Sequence, residues 1–104
     1  MNSIPFKTSK EKEELIRSKI KAFIKKEYGN RTYAAKILSI NQQTLIKKLR
    51  GVKGYTLSVY DVEFFYEIMN GEEKDYIKQR SISIIRALNF GLKNKSVDYF
   101  INLN

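Results

Sequence analysis

A chain of 104 residues, 42% hydrophobic and 30% charged, can bury one modest core, so we expect a single domain. The absence of cysteine and histidine excludes disulfides, zinc sites of the Cys/His type and catalysis by thiol or imidazole, and we predict no metal, no cofactor and no enzymatic activity. The net charge of +9 is concentrated in residues 1–54, which hold 14 Lys/Arg and 4 Glu against 6 and 7 in the remainder, so we expect the first half to bind a polyanion and the second to pack or assemble.

The N-terminal third predicts a long amphipathic helix that begins near Ser9. The run Thr8-Ser9-Lys10-Glu11 matches a capping box, in which a hydroxyl and a carboxylate bond the unpaired amides of the first turn. Gly29 is a predicted left-handed stop. Apolar residues recur at three- to five-residue steps along one predicted face, comprising Leu15, Ile16, Ile20, Phe23, Ile24 and Tyr28.

Two short helices are predicted next, separated by a tight turn. Asn30 is the expected cap of a helix from Arg31 to Leu38 with a small inner face, Ala34, Ala35 and Leu38. Residues 39–41 form the predicted turn, and Asn41 caps a third helix from Gln42 to about Arg50. Gly51 ends that helix.

The second half predicts further helices with less distinct ends. Residues 52–57 are an expected loop, and Ser58 caps a fourth helix through Met69 that closes at Asn70-Gly71. A short helix at Tyr76-Ile77, a longer one spanning Ile82 to Leu92, and a last turn or two around Phe100 follow. We therefore predict an all-α protein, a compact bundle of five to six helices, with a core in residues 1–71 and a helical extension in residues 72–104 that packs on it.

The two short helices and their three-residue turn have the spacing of a helix-turn-helix. We expect five side chains on the inner side: Ala35, Leu38, Ile40, Leu45 and Leu49. The opposite side of the third helix supplies the predicted contacts to DNA bases: Gln42, Gln43, Ile46, Lys47 and Arg50. Predicted phosphate contacts come from Arg31, Thr32, Lys36, Thr44, Lys48 and Lys53. Glutamine is suited to adenine, Lys and Arg to guanine, and isoleucine to the thymine methyl group.

The run Gly29-Asn30-Arg31-Thr32, Ala34-Ala35, Leu38, Ile40-Asn41, Thr44-Leu45 and Lys47-Lys48-Leu49 resembles the DNA-binding motif of the factor for inversion stimulation and of nitrogen-regulatory activators. The resemblance covers about a fifth of the chain, with Ser39 at a turn position where that family usually has glycine. The continuation, from Gly51 through the loop to the helix at residues 58–69, is similar to lambda-repressor-like and Cro-like regulators. These resemblances imply a lambda-repressor-like fold and a transcriptional regulator that binds double-stranded DNA, often a repressor from a phage or another mobile element.

The apolar content of residues 72–104 exceeds what one helix face can bury in so small a fold, which predicts a homodimer. The expected interface residues are Ile85, Leu88, Leu92, Phe100 and Ile101. Each subunit then places its third helix in one half-site, with half-site centres about 34 Å apart.

Three other interpretations compete with DNA binding. The basic amphipathic helix around Leu15 to Tyr28 has the pattern of a segment that lies on an anionic membrane or in a partner's groove, although a core helix with solvated lysines explains it equally. The aromatic residues between Tyr55 and Tyr66 resemble a stacking platform for single-stranded nucleic acid, but neighbouring carboxylates favour a core or a protein interface. The third is a protein-interaction or assembly module that retains a helix-turn-helix shape.

Localisation follows from what the sequence lacks. No apolar run approaches the ~20 residues of a membrane span, and residues 1–12 have no apolar signal segment. We expect a cytoplasmic protein without membrane contact.

Overall fold

The computed structural model describes residues 10–52, 54–71 and 75–103, in which all regular structure is helical. The six helices are α1 (Lys10–Tyr28), α2 (Arg31–Ile37), α3 (Gln42–Arg50), α4 (Val59–Asn70), α5 (Tyr76–Asn89) and α6 (Asn94–Asn102). The predicted all-α class is confirmed. The prediction of separate helices before and after Ile82 is wrong, because residues 76–89 form one continuous helix that Asp75 caps by accepting a hydrogen bond from the Lys78 amide at 3.1 Å.

The caps around the two short helices form as predicted. The Asn30 side chain accepts a hydrogen bond from the Tyr33 amide at 2.8 Å, and the Asn41 side chain accepts one from the Thr44 amide at 3.0 Å. Gly51 ends α3 in the left-handed region, with φ of 71°. Because each side-chain oxygen satisfies an amide that the first turn leaves unpaired, both ends of the α2–α3 connection are fixed by local sequence.

The fourth helix begins with a reciprocal capping box. The Asp61 amide donates to the Ser58 hydroxyl at 3.1 Å, while the Ser58 amide donates to the Asp61 carboxylate at 2.8 Å. The predicted capping box at Thr8 lies outside the described residues. Glu11 and the first turn of α1 are described from Lys10 onward.

The core lies where α1 crosses the α2–α3 pair and the central helix α4. Ile16, Ile20 and Ile24 follow one another at four-residue steps and are all buried. Ala34 and Ala35 let α2 approach them closely, because a small side chain keeps two backbones near each other. Fully or almost fully buried residues from the other helices complete the core, among them Leu38, Leu45, Leu49, Val62, Phe64, Phe65, Tyr66 and Phe100. The interpretation of the aromatic cluster as core is thus confirmed for Phe64, Phe65 and Tyr66.

The predicted face of α1 needs one correction. Leu15 is 37% exposed, whereas Arg17 is only 3% exposed. Each residue turns a helix by about 100°, so Arg17 lies about 60° from the centre of the Ile16–Ile20–Ile24 face and Leu15 about 140° from it. The face that the core covers therefore includes an arginine and excludes a leucine.

The last helix belongs to the core. The Phe100 ring is 0% exposed, so the prediction that it contacts a second subunit is wrong. Leu92 and Ile101, also predicted at that interface, are half-buried and pack against the same core. The start of α6 is held by Glu63, fully buried on α4, whose carboxylate accepts hydrogen bonds from the Lys93 amide at 3.1 Å and the Ser96 hydroxyl at 2.7 Å. A side chain from another helix thus performs the capping that Lys93 does not.

Two features are not found among the described residues. None of the six helices combines the length and the apolar character that crossing a bilayer requires. No group of three or more carboxylates there is arranged to hold a metal ion.

Candidate nucleic-acid interface

The third helix is anchored to the core along one side. Leu45 and Leu49, one turn apart, are 3% and 0% exposed. On the preceding helix Ala35 and Leu38 are also buried, and Ile40 in the turn is half-buried against the same cluster. The five predicted inner side chains therefore pack together, and the polar side of α3 is left facing away from them.

Of the five predicted base-contacting residues, Gln43, Lys47 and Arg50 lie on this outer side of α3, whereas at about 100° per residue Ile46 lies at its edge and Gln42 nearer the leucines. Gln42, Gln43 and Arg50 are exposed, and Ile46 and Lys47 are half-buried. The Lys47 ammonium lies 4.8 Å from the centroid of the Tyr55 ring, a cation–π contact that holds the side chain along the helix surface. Gln43 and Arg50 make no hydrogen bond or ion pair with any part of the chain that the structure describes, so their polar groups face solvent.

Gln42 links the two short helices directly. Its side-chain amide donates to the Thr32 hydroxyl at 3.0 Å. Both residues line an open groove of about 570 Å³, together with Asn30, Tyr33, Ala35, Lys36 and Ile40. A predicted base contact and a predicted phosphate contact are therefore neighbours, and the second N–H and the carbonyl of Gln42 are still available to a ligand.

The predicted phosphate contacts differ in how free their charges are. Lys36 is exposed, and Arg31 is half-buried at the start of α2. Lys48 is half-buried, and its ammonium bonds the Asp61 carboxylate on α4 at 2.8 Å, so part of its charge is already compensated. Thr32 is exposed and Thr44 half-buried, whereas Lys53 lies outside the described residues.

Sequence reasoning missed Arg17 on α1, whose side chain bonds the backbone of α3. Its guanidinium donates from Nε to the Lys48 carbonyl at 2.8 Å and pairs with Glu13 at 3.1 Å and with Glu14. The Glu13 carboxylate also accepts a hydrogen bond from the Leu57 amide at 3.2 Å. A cation at the last carbonyls of α3 is favoured by the helix dipole. The sequence carried a sign of this cluster, because Glu13 and Arg17 are four residues apart on the side of α1 that holds the isoleucines.

The turn between α2 and α3 contains a backbone conformation that favours glycine. Ser39 has φ of 55°, the left-handed region that L side chains rarely adopt. Its carbonyl accepts a hydrogen bond from Arg80 on α5, and the same guanidinium donates to the Tyr60 hydroxyl at 2.9 Å. Burial raises the pKa of the Tyr60 phenol, and the Arg80 charge opposes that rise. Arg80 thus ties the turn to the body of the protein.

The segment that contains α2 and α3 carries charges of one sign. Residues 28–60 contain six Lys/Arg, at positions 31, 36, 47, 48, 50 and 53, and no Asp or Glu. The Asp61 carboxylate on α4 contacts α3 by accepting a hydrogen bond from the Lys48 ammonium, and it also accepts one from the Ser58 amide. The outer side of α3 therefore combines hydrogen-bonding amides with uncompensated cations, which is the arrangement that polyanions favour.

Comparison of the chain with protein-family models, with curated proteins and with solved structures gives no match. The function is therefore inferred from geometry, charge and the chemistry of the exposed side chains.

Proposed function

We propose that this protein binds double-stranded DNA sequence-specifically, with α3 in the major groove and α2 across the phosphate backbone, as a helix-turn-helix. A major groove admits one α-helix whose outer side chains reach the base edges. The single observation that carries the proposal is the two-sided character of α3, since Leu45 and Leu49 lie in the core on one side, and Gln43 and Arg50 are exposed on the other with no partner among the described residues.

The residues divide into two roles. Gln43 and Arg50 are the base contacts, because a glutamine amide pairs with adenine and a guanidinium with guanine through two hydrogen bonds each. Lys47 and Gln42 extend that surface toward Tyr55 and Thr32 respectively. Lys36 and Arg31 contact phosphates, which fix the position of the protein without selecting sequence. By the resemblance of the segment to DNA-binding regulators, the biological role is regulation of transcription.

Lys36 tests the non-specific part of this function. We expect the wild type to bind random duplex DNA with an affinity that falls steeply between about 50 and 200 mM salt, because bound counterions are released. Lys36→Gln should lower the slope of log affinity against log salt by about one per protomer. Fluorescence anisotropy with a labelled duplex measures both quantities. The matched control is Lys95→Gln, which removes the same charge from an exposed site on α6 and should leave the slope unchanged.

Gln43 tests the specific part. A duplex enriched from a random pool by the wild type should lose about 1 to 3 kcal/mol of binding free energy with Gln43→Ala, whereas random DNA loses little. Lys36→Gln should weaken both duplexes alike. An equal effect of the two variants on both duplexes contradicts the division of roles, and a wild type that binds no duplex at low salt contradicts the function.

A further inference from the structure

Helix α5 buries small side chains and leaves several large apolar ones exposed. It lies chiefly against α4, and its buried residues are small, Ser83 and Ala87, at 0% and 3% exposure. Three of its large apolar side chains point away from the core, with Ile77, Ile85 and Leu88 at 74%, 57% and 58% exposure, whereas Tyr76, Ile82 and Ile84 are half-buried. A helix that had only to stabilise one subunit gains more by burying the large residues. The arrangement indicates that the outer side of α5 is covered by something else.

The exposed residues form one continuous surface. At about 100° per residue, positions 77, 81, 85 and 88 fall within an arc of about 80°. Phe90, just beyond the helix, is 66% exposed as well, but by the same spacing it lies on the other side of α5. We call the residues Ile77, Ser81, Ile85 and Leu88 the α5 face. Its three apolar side chains expose on the order of 400 Å², within the range of the largest patches on ordinary monomers.

We propose that the α5 face binds a second copy of this chain, with the two α5 helices antiparallel across a two-fold axis. When the face meets itself, the apolar area counts twice and reaches on the order of 800 Å², which with the polar surface around it approaches the size at which biological interfaces begin. Ser81 is small and lies in the middle of the face, so two helices can approach closely there.

Charge at the two ends of α5 favours the same arrangement. Asp75 precedes the helix and Lys93 follows it, and both are exposed. The Lys93 ammonium lies 4.8 Å from the centroid of the Phe90 ring, so its charge lies close to the C-terminal end of α5. In an antiparallel pair the carboxylate of one copy comes to the end of the helix where the other carries its ammonium, and the helix dipoles also oppose each other. A parallel pair brings like charges together.

The proposal revises the interface expected from sequence. Ile85 and Leu88 remain in it, Ile77 is added, and Phe100 is excluded by its burial. The proposal does not depend on DNA binding, since it concerns the association of two copies of the chain and can be tested with protein alone.

Sedimentation equilibrium of the full chain without DNA tests the interface. We expect the wild type to change from the mass of one chain to twice that mass as its concentration rises through the micromolar range. Leu88→Glu should raise the dissociation constant at least 100-fold, and circular dichroism should show unchanged helix content. Leu15→Glu is the matched control, because it places the same charge on a partly exposed leucine of α1, and it should dimerise as the wild type does.

The charge pairs provide a second measurement. Asp75→Asn removes the carboxylate and keeps a good helix cap, and Lys93→Gln removes the ammonium. Each should weaken dimerisation a few-fold at low salt, and the double variant should weaken it by less than the product of the two. A wild type that stays monomeric up to millimolar concentration overturns the proposal and leaves DNA binding by α3 untouched. A Leu88→Glu variant that still forms dimers overturns it equally, and additive effects of the charge variants overturn the antiparallel arrangement.

Discussion

Ser39 shows the energetic cost of a left-handed backbone conformation in the turn between α2 and α3. Its left-handed conformation, with φ of 55°, carries a penalty for any side chain with a Cβ, which glycine avoids. Ser39→Gly should therefore stabilise the protein by about 0.5–1 kcal/mol in urea unfolding. Ser18→Gly is the matched control, since the same change in the middle of α1 should destabilise by about 0.5 kcal/mol. A loss of stability in Ser39→Gly contradicts the assigned backbone conformation.

Arg17 and Arg50 carry the same charge in different surroundings, and we expect substitutions at the two positions to have different effects. Arg17→Met removes the guanidinium that bonds the Lys48 carbonyl and leaves Glu13 without its main partner, so unfolding free energy should fall by about 2–4 kcal/mol. Arg50 is exposed and unpaired within the described residues, so Arg50→Met should change stability by less than about 0.5 kcal/mol and weaken DNA binding. Urea unfolding and anisotropy on both variants separate the two roles, and a stable Arg17→Met variant contradicts the first.

Tyr28 gives the protein a dependence on alkaline pH. Burial raises the pKa of its phenol above the ordinary value of about 10, and the neighbouring Tyr76 phenol adds to the rise. Above about pH 10 the unfolded chain loses a proton that the folded protein keeps, so stability falls as pH rises. Tyr28→Phe should remove at most about 1.4 kcal/mol per pH unit of that decline. Urea unfolding of both proteins at several pH values measures it, and parallel declines contradict the assignment.

At the scale of the helices, local sequence predicts where a helix begins and ends better than it predicts which contacts the helix makes with distant segments. Asn30, Asn41 and Ser58 cap the helices that follow them, because a cap bonds amides only a few residues away. The inner and outer sides of α3 were also predictable, since Leu45 and Leu49 are its only leucines and share one side. Contacts between distant segments were not: Glu63 caps α6 from 30 residues away, and Arg17 reaches α3 from 31.

The α5 helix shows why apolar periodicity alone did not distinguish core residues from those of the proposed interface. Its large residues follow a regular pattern that predicts a core-facing side, but the core accepts Ser83 and Ala87 instead. No pattern within residues 76–89 distinguishes a stripe that packs on α4 from one that binds another copy. The sequence therefore predicted an assembly element in residues 72–104 and mistook Phe100, a core residue of α6, for part of it.

Glu63 makes α6 depend on α4. Glu63→Met keeps the length of the side chain and removes both carboxylate oxygens, so the Lys93 amide and the Ser96 hydroxyl lose their acceptor. We expect a loss of about 1–3 kcal/mol in unfolding free energy and faster amide exchange in the first turn of α6. Asp98→Asn, an exposed change on the same helix, should have little effect. Unchanged exchange at residues 94–97 in Glu63→Met contradicts the cap.

At the scale of the whole molecule, DNA binding by α3 and dimerisation through α5 together predict how affinity depends on the number of half-sites in the duplex. If α5 pairs two subunits, each α3 occupies one half-site, with centres about 34 Å apart. Leu88→Glu should then weaken binding to a duplex with both half-sites at least 100-fold, because the second contact is no longer intramolecular. Binding to a duplex with one half-site should be unchanged. Equal losses on both duplexes show that the substitution acts on α3 and contradict the separation of the two surfaces.

The most direct test of DNA binding through α3 is a titration of the ¹⁵N-labelled protein with duplex DNA, followed by NMR. We predict that the largest chemical-shift changes occur at the amides of residues 31–36 and 42–50, with the Gln43 side-chain amide and the Arg50 Nε–H among them. The amides in the middle of α6 should change little. Shifts confined to α5 and α6, or no shifts at low salt with excess duplex, would contradict the proposed function.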